Sequence, residues 1–362
     1  MSGEPPRRLR EAHASLQQGN VLRAAGRLDE AIAAYRNAVS LHPEGGAGHF
    51  NLGIALREAR DARGAALAFR RAARCDPRDF AAVQNAIDSI AAAMEDDAPR
   101  LFPRVEGERP PGSTPVSIVT CSIHPARLAA MQANFRAALG AREHEMIAIL
   151  DANSLAEGYT RGLQQSRHPI VVFCHDDVEL VSAHPFEAID DALEGHDVAG
   201  LAGADLASGP AVMWAGHPHL RGWVAYPAPG GAWDATVFSL EAGVLGGMQT
   251  LDGMLFAVRR EVMEKVGFDG ATFDGFHFYD LDFTYRAHLA GLRLAVTTDV
   301  VAIHASTGHF GEAWKRYAAR FEAKFPALRS PVGDYHAYGV RVRSRPELVR
   351  FYAQLRGLGA AA

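Results

Sequence analysis

The sequence predicts an all-α N-terminal domain followed by an α/β domain with a mostly parallel sheet. Three observations carry this. Residues recur at a 34-residue offset in the first eighty positions. From position 116 onward, short apolar runs alternate with helical segments. A Pro- and Gly-rich stretch separates the two regimes. The expected boundaries are 1–95 for the helical domain, 96–115 for a linker, 116–330 for the α/β domain and 331–362 for a C-terminal helical extension.

The repeat is read first. Gly19, Gly26, Ala31, Tyr35, Ala38 and Pro43 recur as Gly53, Arg60, Ala65, Phe69, Ala72 and Pro77, with only the Gly26 position changed in type. Each unit reads as two helices. Small residues allow close packing, and the proline ends the second helix. This pattern resembles the tetratricopeptide repeat, with copies at about 12–45 and 46–79 and a closing helix over 80–94. Such a module implies a protein partner or self-association. Asn20, Arg23, Asn51 and Arg57 are the expected lining of its recognition face.

In the second region, strands are expected at 116–121, 145–150 and 170–174, with helices at 126–139 and 154–166 between them. This alternation implies βαβ units. Between about 205 and 250 the pattern dissolves among Gly and Pro, and Trp214, Trp223 and Trp233 fall there. A long irregular segment inside a compact domain is usually functional, so this one is expected to serve the domain's function. Regularity returns with a strand at 254–258, helices at 260–266 and 280–290, a strand at 292–297 and an amphipathic helix at 312–324.

Composition narrows the class. The chain has 362 residues, 48% hydrophobic and 22% charged, with a formal net charge of −5. That gives no general attraction to nucleic acid. Cys75, Cys121 and Cys174 are far apart and form neither a metal spacing nor a disulfide framework. A reducing cytoplasm is the expected compartment, with peripheral attachment at an inner membrane left open. No apolar stretch reaches the ~18–20 residues of a membrane span. The N-terminus has no apolar signal core. Abundant Ala and Arg with scarce Lys suggest a GC-rich bacterial gene.

Three stretches carry the chemistry. The apolar run Ile170-Val171-Val172-Phe173-Cys174 ends in His175-Asp176-Asp177. Ligands of open α/β sheets bind beyond the carboxyl ends of strands. Paired acids there repel each other and lose hydration unless a cation compensates. A divalent ion bridging a diphosphate would do so, with Asp177 as its candidate ligand and Asp176 or His175 holding ribose or completing the metal shell. A helix N-cap or a solvated turn is the plainer explanation. The second stretch is Tyr279-Asp280-Leu281-Asp282. Asp280 falls where a loop becomes a helix, which suits a base taking a hydroxyl proton. Asp282 and Arg286 are four apart and can pair, although Asp280-Leu281-Asp282 is also a rival metal triplet. The third is Val300-Val301-Ala302-Ile303-His304, where neutral imidazole can complete a metal shell. His309 could stand in for His304.

Taken in order, these stretches resemble a family 2-type, GT-A-fold glycosyltransferase over about 116–325. The first strand, the segment Ala156-Glu157-Gly158-Tyr159-Thr160-Arg161-Gly162, the Asp-x-Asp region with His175 in place of its first acid, Leu251-Asp252-Gly253, the Tyr279-Asp280 pair with Tyr279 in place of Glu, and His304 all match that pattern. The resemblance implies an inverting transfer from a nucleotide sugar, UDP-, dTDP- or GDP-linked, to a hydroxyl on a protein or glycan acceptor. It implies Mn²⁺ or Mg²⁺ on Asp177, His304 and His175, and Asp280 as base. Thr120, Ser122, Asp151, Glu157, Arg161, Asp176, Asp252 and Gly253 would face the donor. An inactive transferase-like scaffold and a metal-dependent nucleotidyltransferase are the alternatives. The second lacks its usual Gly-rich loop and basic residues near the first strand.

Overall fold

The structure, a computed structural model, describes residues 7–95, 101–102, 112, 114–209, 216–306, 308, 310–328 and 337–361. Most of the expected linker, Trp214 and His309 therefore lie outside the described residues. The chain divides into two compact units. One comprises Met1–Val105, Tyr338–Val340 and Arg350–Ala362, and the other comprises Glu106–Ala337 and Arg341–Val349.

The first unit holds α1 (Arg7–Ala24), α2 (Leu28–Leu41), α3 (Gly46–Glu58), α4 (Ala62–Cys75) and α5 (Phe80–Glu95). The repeat positions behave as the offset requires. A Cβ on Gly19 would lie 2.5 Å from the Tyr35 ring, and one on Gly53 would lie 2.8 Å from the Phe69 ring. The two aromatics are fully buried together with Ala31, Ala65 and Ala72. The expected recognition residues also bond to one another and to other helices of the unit. Asn20 accepts from the Tyr35 hydroxyl at 2.9 Å and from the Asn51 amide at 3.0 Å, Arg23 pairs with Glu58 at 2.8 Å, and Arg57 donates to Asn85. Most of these bonds link the first helices of successive units, α1 to α3 and α3 to α5. Residues 350–361 of the last helix (Arg345–Ala360) belong to this unit as well. They bury Phe351, Tyr352, Leu355 and Leu358, and Gln354 exchanges hydrogen bonds with the Phe102 backbone.

The second unit runs β1 (Val116–Cys121), α6 (Pro125–Leu139), β2 (His144–Ile149), α7 (Leu155–Gln165), β3 (Ile170–His175), β4 (Val178–Leu180), α8 (Pro185–Gly195), β5 (Val198–Gly200), β6 (Ala202–Ala204), β7 (Leu220–Ala228), β8 (Ala232–Val237), β9 (Val244–Met248), β10 (Thr250–Leu251), β11 (Leu255–Arg259), α9 (Arg260–Lys265), α10 (Tyr279–Leu289), β12 (Leu294–Thr297), β13 (Ala302–His304) and α11 (Glu312–Lys324). The main sheet is ordered β2-β1-β3-β11-β5-β12-β9. The β1–β2, β1–β3 and β5–β12 pairs are parallel, as βαβ units require. β11 runs antiparallel to both β3 and β5, and β9 antiparallel to β12. The sheet is thus mixed but mostly parallel, with β2, β1, β3, β5 and β12 pointing one way and β11 and β9 the other. The reason is that β11 returns to β3 by a path other than a right-handed helical crossover, and periodicity alone cannot show this. The helix α7 lies tight on β1. A Cβ on Gly158 would come 2.5 Å from Cys121 Sγ, and one on Gly162 would come 2.2 Å from Val119.

The 205–250 segment is not the irregular loop its composition suggests. It contributes β7, β8, β9 and β10. β7 is flanked by β6 and β13 in a second sheet ordered β10-β6-β7-β13-β4, and it also pairs with β8. Trp223 is a core residue there, 1% exposed, with its indole N–H donated to Ser239 O at 2.8 Å. Trp233 sits half-buried on β8 opposite Pro227. Alternating Gly and aromatic residues on twisted, partly exposed strands look like loop composition, which is why these strands were hard to see.

The changed repeat position yields a prediction. Arg60 has φ 61°, close to the 74° of Gly26, and both close the same turn by donating to the carbonyl three residues back at 3.0 Å. A side chain in that left-handed conformation costs roughly 1–2 kcal/mol, against the roughly 0.5–1 kcal/mol of extra chain entropy that glycine loses on folding. Arg60→Gly should therefore stabilise this unit by about 0.5–1 kcal/mol. Urea unfolding of the full chain would measure it, and a loss of stability would contradict the turn assignment.

Candidate active site

Four segments converge where β3 ends. The run 170–174 is buried throughout because β3 is covered on both faces and paired on both edges, with β1 and with β11. Its next residue, His175, donates its backbone N–H to Met254 O at 2.9 Å, which brings in the Asp252-Gly253-Met254 turn. A two-residue turn then starts β4. The antiparallel β4–β13 pair sets His304 opposite Val178, and Ala305 N–H donates to Asp177 O at 3.0 Å. The fourth segment is the start of α10, where Phe278 adopts φ 65° and is held between Trp314 and Phe321 at ring distances of 5.3 and 5.4 Å.

These backbone paths bring His175, Asp177 and His304 together. One donor atom from each lies within 4.8 Å of the other two. His304 Nε2 is 3.4 Å from Asp177 Oδ1, 3.3 Å from His175 Nδ1 and 3.1 Å from Ser306 Oγ. Two imidazoles and a carboxylate of this spacing can hold a metal ion. Burial works against charge on Asp177, yet the hydrogen bond and charge of His304, with His175 and Ser306, hold its carboxyl well below the usual range. Burial lowers the His175 pKa to about 4, and the neighbouring charge of His304 adds to this. His175 is therefore a neutral imidazole at physiological pH, the form that ligates.

Beside this group lie two buried carboxylates. Asp280 Oδ2 accepts from Gly253 N–H at 2.8 Å, and Asp252 Oδ1 accepts from Met254 N–H at 2.7 Å. Burial first, and then the charge of Asp252, raises Asp280 to about 7. Asp252 is raised as well by its own burial, with His304 opposing. Gly253 permits the approach. A Cβ there would lie 2.1 Å from the Tyr279 hydroxyl and 2.8 Å from Asp280. Asp282, two residues on and so about half a turn round α10, takes no part. It is fully buried in ion pairs with Arg286 at 2.7 Å and Lys324 at 2.6 Å, and Lys324 also holds Asp269. The expected Asp282–Arg286 pair exists, and it removes Asp280-Leu281-Asp282 as a rival metal triplet.

The remaining candidates gather at the ends of β1 and β2. Ser122 Oγ donates to Asp176 at 2.5 Å. Arg161 pairs with exposed Asp151 at 2.9 Å and with Glu157 at 2.5 Å. Glu157 also accepts from Asn153 N–H at 3.1 Å, while Ser154 caps α7 by accepting from Glu157 N–H, a reciprocal N-terminal cap. Burial lifts the Cys121 thiol to about 12, and Glu157, Arg161 and Asp176 all act on it, so these charges surround one spot. Thr120 is different: it is 2% exposed inside the sheet, not at its rim. Ser306 and the Tyr279 hydroxyl were not foreseen as site groups. Nothing local marks a serine two residues past a strand, and the partner of Tyr279 lies 104 positions away.

The mixed sheet, with helices against it and a cluster of His and Asp side chains at its strand ends, makes this unit an α/β domain. A family model described as "Glycosyltransferase like family" matches residues 118–325, more than half of the chain, and the chain belongs to that family. A tetratricopeptide repeat model matches residues 16–80. Among solved structures, one titled "Crystal structure of GalNAc-T7 with UDP, GalNAc and Mn2+" is similar at 9% identity and a TM-score of 0.38. The match covers 58% of this chain and 48% of that one. A search of curated proteins found no match.

Asp280 makes a stability prediction. Its carboxyl moves from the usual 3.8 to about 7 in the fold. Between those values the folded state keeps a proton that the unfolded chain has lost, so this group makes stability fall as pH rises through the window. Asp280→Asn should flatten that fall. Thermal melts in chelator from pH 4.5 to 7.5 would test it, and an unchanged slope would mean that Asp280 is ionised throughout.

Proposed function

We propose that the chain is an inverting, metal-dependent glycosyltransferase that moves a sugar from a nucleoside diphosphate to an acceptor hydroxyl. The observation that carries this reading is the pairing of a His175/Asp177/His304 donor group with a buried carboxylate, Asp280, whose pKa lies near neutrality. Asp177, His304 and His175 would hold the ion, which would stabilise charge growing on the departing diphosphate. Two imidazoles suit Mg²⁺ poorly, since it takes oxygen ligands, and favour a first-row ion such as Mn²⁺.

Asp280 acts as the base. Its Oδ2 is fixed by Gly253 N–H, so the carboxylate cannot swing away. As the acceptor oxygen bonds to the anomeric carbon, its proton passes to Asp280 and the sugar–phosphate bond breaks on the opposite face. A base with a pKa near 7 is well matched to this transfer. Ser122, Asp176, Asp151, Glu157 and Arg161, at the ends of β1 and β2, are placed to meet the nucleotide, whether UDP-, dTDP- or GDP-linked. Thr120 supports the strand from within. Asp252, buried beside Asp280, would bear on the sugar. The repeats would engage a protein partner or a second copy. Val21, 69% exposed on α1, offers a probe of this. Val21→Asp should weaken self-association in sedimentation or the capture of an acceptor protein, and no change in either would count against this face.

Two measurements test the catalytic reading. Donor hydrolysis or transfer should stop on chelation and return with Mn²⁺, and Asp177→Ala should not recover; activity that survives chelation overturns the metal role. Asp280→Asn should lower turnover by about 10²–10⁴-fold with donor affinity little changed. Normal turnover in that variant would remove Asp280 as base.

A further inference from the structure

The two residues that depart from the expected transferase pattern, His175 and Tyr279, touch each other. The Tyr279 hydroxyl lies 2.9 Å from His175 Nε2 and 3.1 Å from Gly253 O. A carbonyl oxygen only accepts, so the hydroxyl satisfies Gly253 O by donating its one proton there. In that arrangement the phenol oxygen accepts from His175, with the imidazole proton on Nε2. Nδ1 is left with its lone pair, and that is the nitrogen facing His304 Nε2 at 3.3 Å.

We propose that Tyr279 is a positioning residue that fixes the tautomer and ring orientation of His175, so that Nδ1 is presented to the cation shared with Asp177 and His304. The inference rests on the metal reading above. It assigns the tyrosine a role at the metal centre through His175, without contact with the ion. A ligating histidine generally needs its second ring nitrogen anchored in this way, and loss of the anchor typically weakens metal binding by about 10–100-fold. The anchor is itself well held. The Tyr279 ring is buried against Tyr159 and Phe268 at ring distances of 5.6 and 6.3 Å, and the residue opens α10. Gly253 has no side chain to block the hydroxyl, so the bond to its carbonyl can form.

Mn²⁺ binding by the full chain, followed by electron paramagnetic resonance of the free ion, tests this without reference to activity. Tyr279→Phe keeps the ring and should weaken Mn²⁺ binding by about 10–100-fold. In a His175→Ala background, Tyr279→Phe should add nothing, because its effect runs through that histidine. Nitrogen NMR of the imidazoles in the metal-free wild type reads the tautomer directly and does not depend on how well any variant folds. A protonated Nε2 and bare Nδ1 at His175 are expected. A protonated Nδ1, or equal Mn²⁺ affinity in Tyr279→Phe and wild type, would overturn the inference. Failure of the wild type to bind Mn²⁺ would overturn the metal reading and the inference with it. Wild-type binding that Tyr279→Phe leaves unchanged would overturn the inference alone.

Discussion

The carboxyl end of β3 concentrates charge that cannot stay dispersed in water, and the second unit is arranged around that concentration. Asp177, Asp252 and Asp280 are all withdrawn from solvent within reach of two imidazoles. Such groups persist in a fold only when hydrogen bonds, opposite charge or a bound cation offset the lost hydration. Backbone donors do part of this. Gly253 N–H serves Asp280 and Met254 N–H serves Asp252. The imidazoles do the rest at Asp177. The raised pKa of Asp280 reflects what these donors leave uncompensated, burial first and then the charge of Asp252.

Holding the cluster requires rigid supports on two sides. Beneath it, Tyr159, Phe173, Phe256, Phe268 and Phe283 form a continuous aromatic layer with neighbouring ring centres 5.0–5.6 Å apart. Large flat rings at that spacing allow little sliding, so α7, β3, β11 and α10 keep their relative positions. Behind it, Asp282 binds Arg286 and Lys324, while Arg286 also donates to the carbonyls of Val266 and Gly267 at 2.8 Å. This network ties α10 to α11 and to the loop after α9. Removing both cations would strand a fully buried carboxylate, a loss of roughly 3–5 kcal/mol or more. Two residues, about half a turn of α10, thus separate Asp282, which is neutralised by ion pairs, from Asp280, which accepts from Gly253 N–H.

The N-terminal unit follows a different logic. Its helices repeat because each pair covers the next, with Tyr35 and Phe69 filling the gaps opposite Gly19 and Gly53. Two repeats leave an apolar end, and α5 together with residues 350–361 of the last helix contribute buried side chains to the same unit. Short solenoids generally need capping of this kind. The polar residues along the first helices, Asn20, Arg23, Asn51 and Arg57, cross-link neighbours and are only partly available to a partner.

Local pattern alone was enough for much of this protein. The helical repeat was legible because stacking makes every unit solve the same packing problem with the same residue types. The βαβ start of the second domain was legible because strands buried on both faces must be apolar from end to end. An acid or histidine at the end of such a strand therefore stands out, which is how His175, Asp177 and His304 could be named, whereas Asp280 was marked by its place where a loop becomes a helix. Tertiary structure decided what those residues do to one another. It inserted β11 antiparallel beside β3 and turned the Trp-rich segment into strands. It sent Asp282 into an ion pair, buried Thr120 and joined His175 to Tyr279. Each of these depends on contacts between residues tens to a hundred positions apart. A one-dimensional pattern records which side chains face inward, whereas the direction of a returning strand and the partner of a buried hydroxyl are set only when the whole chain closes on itself.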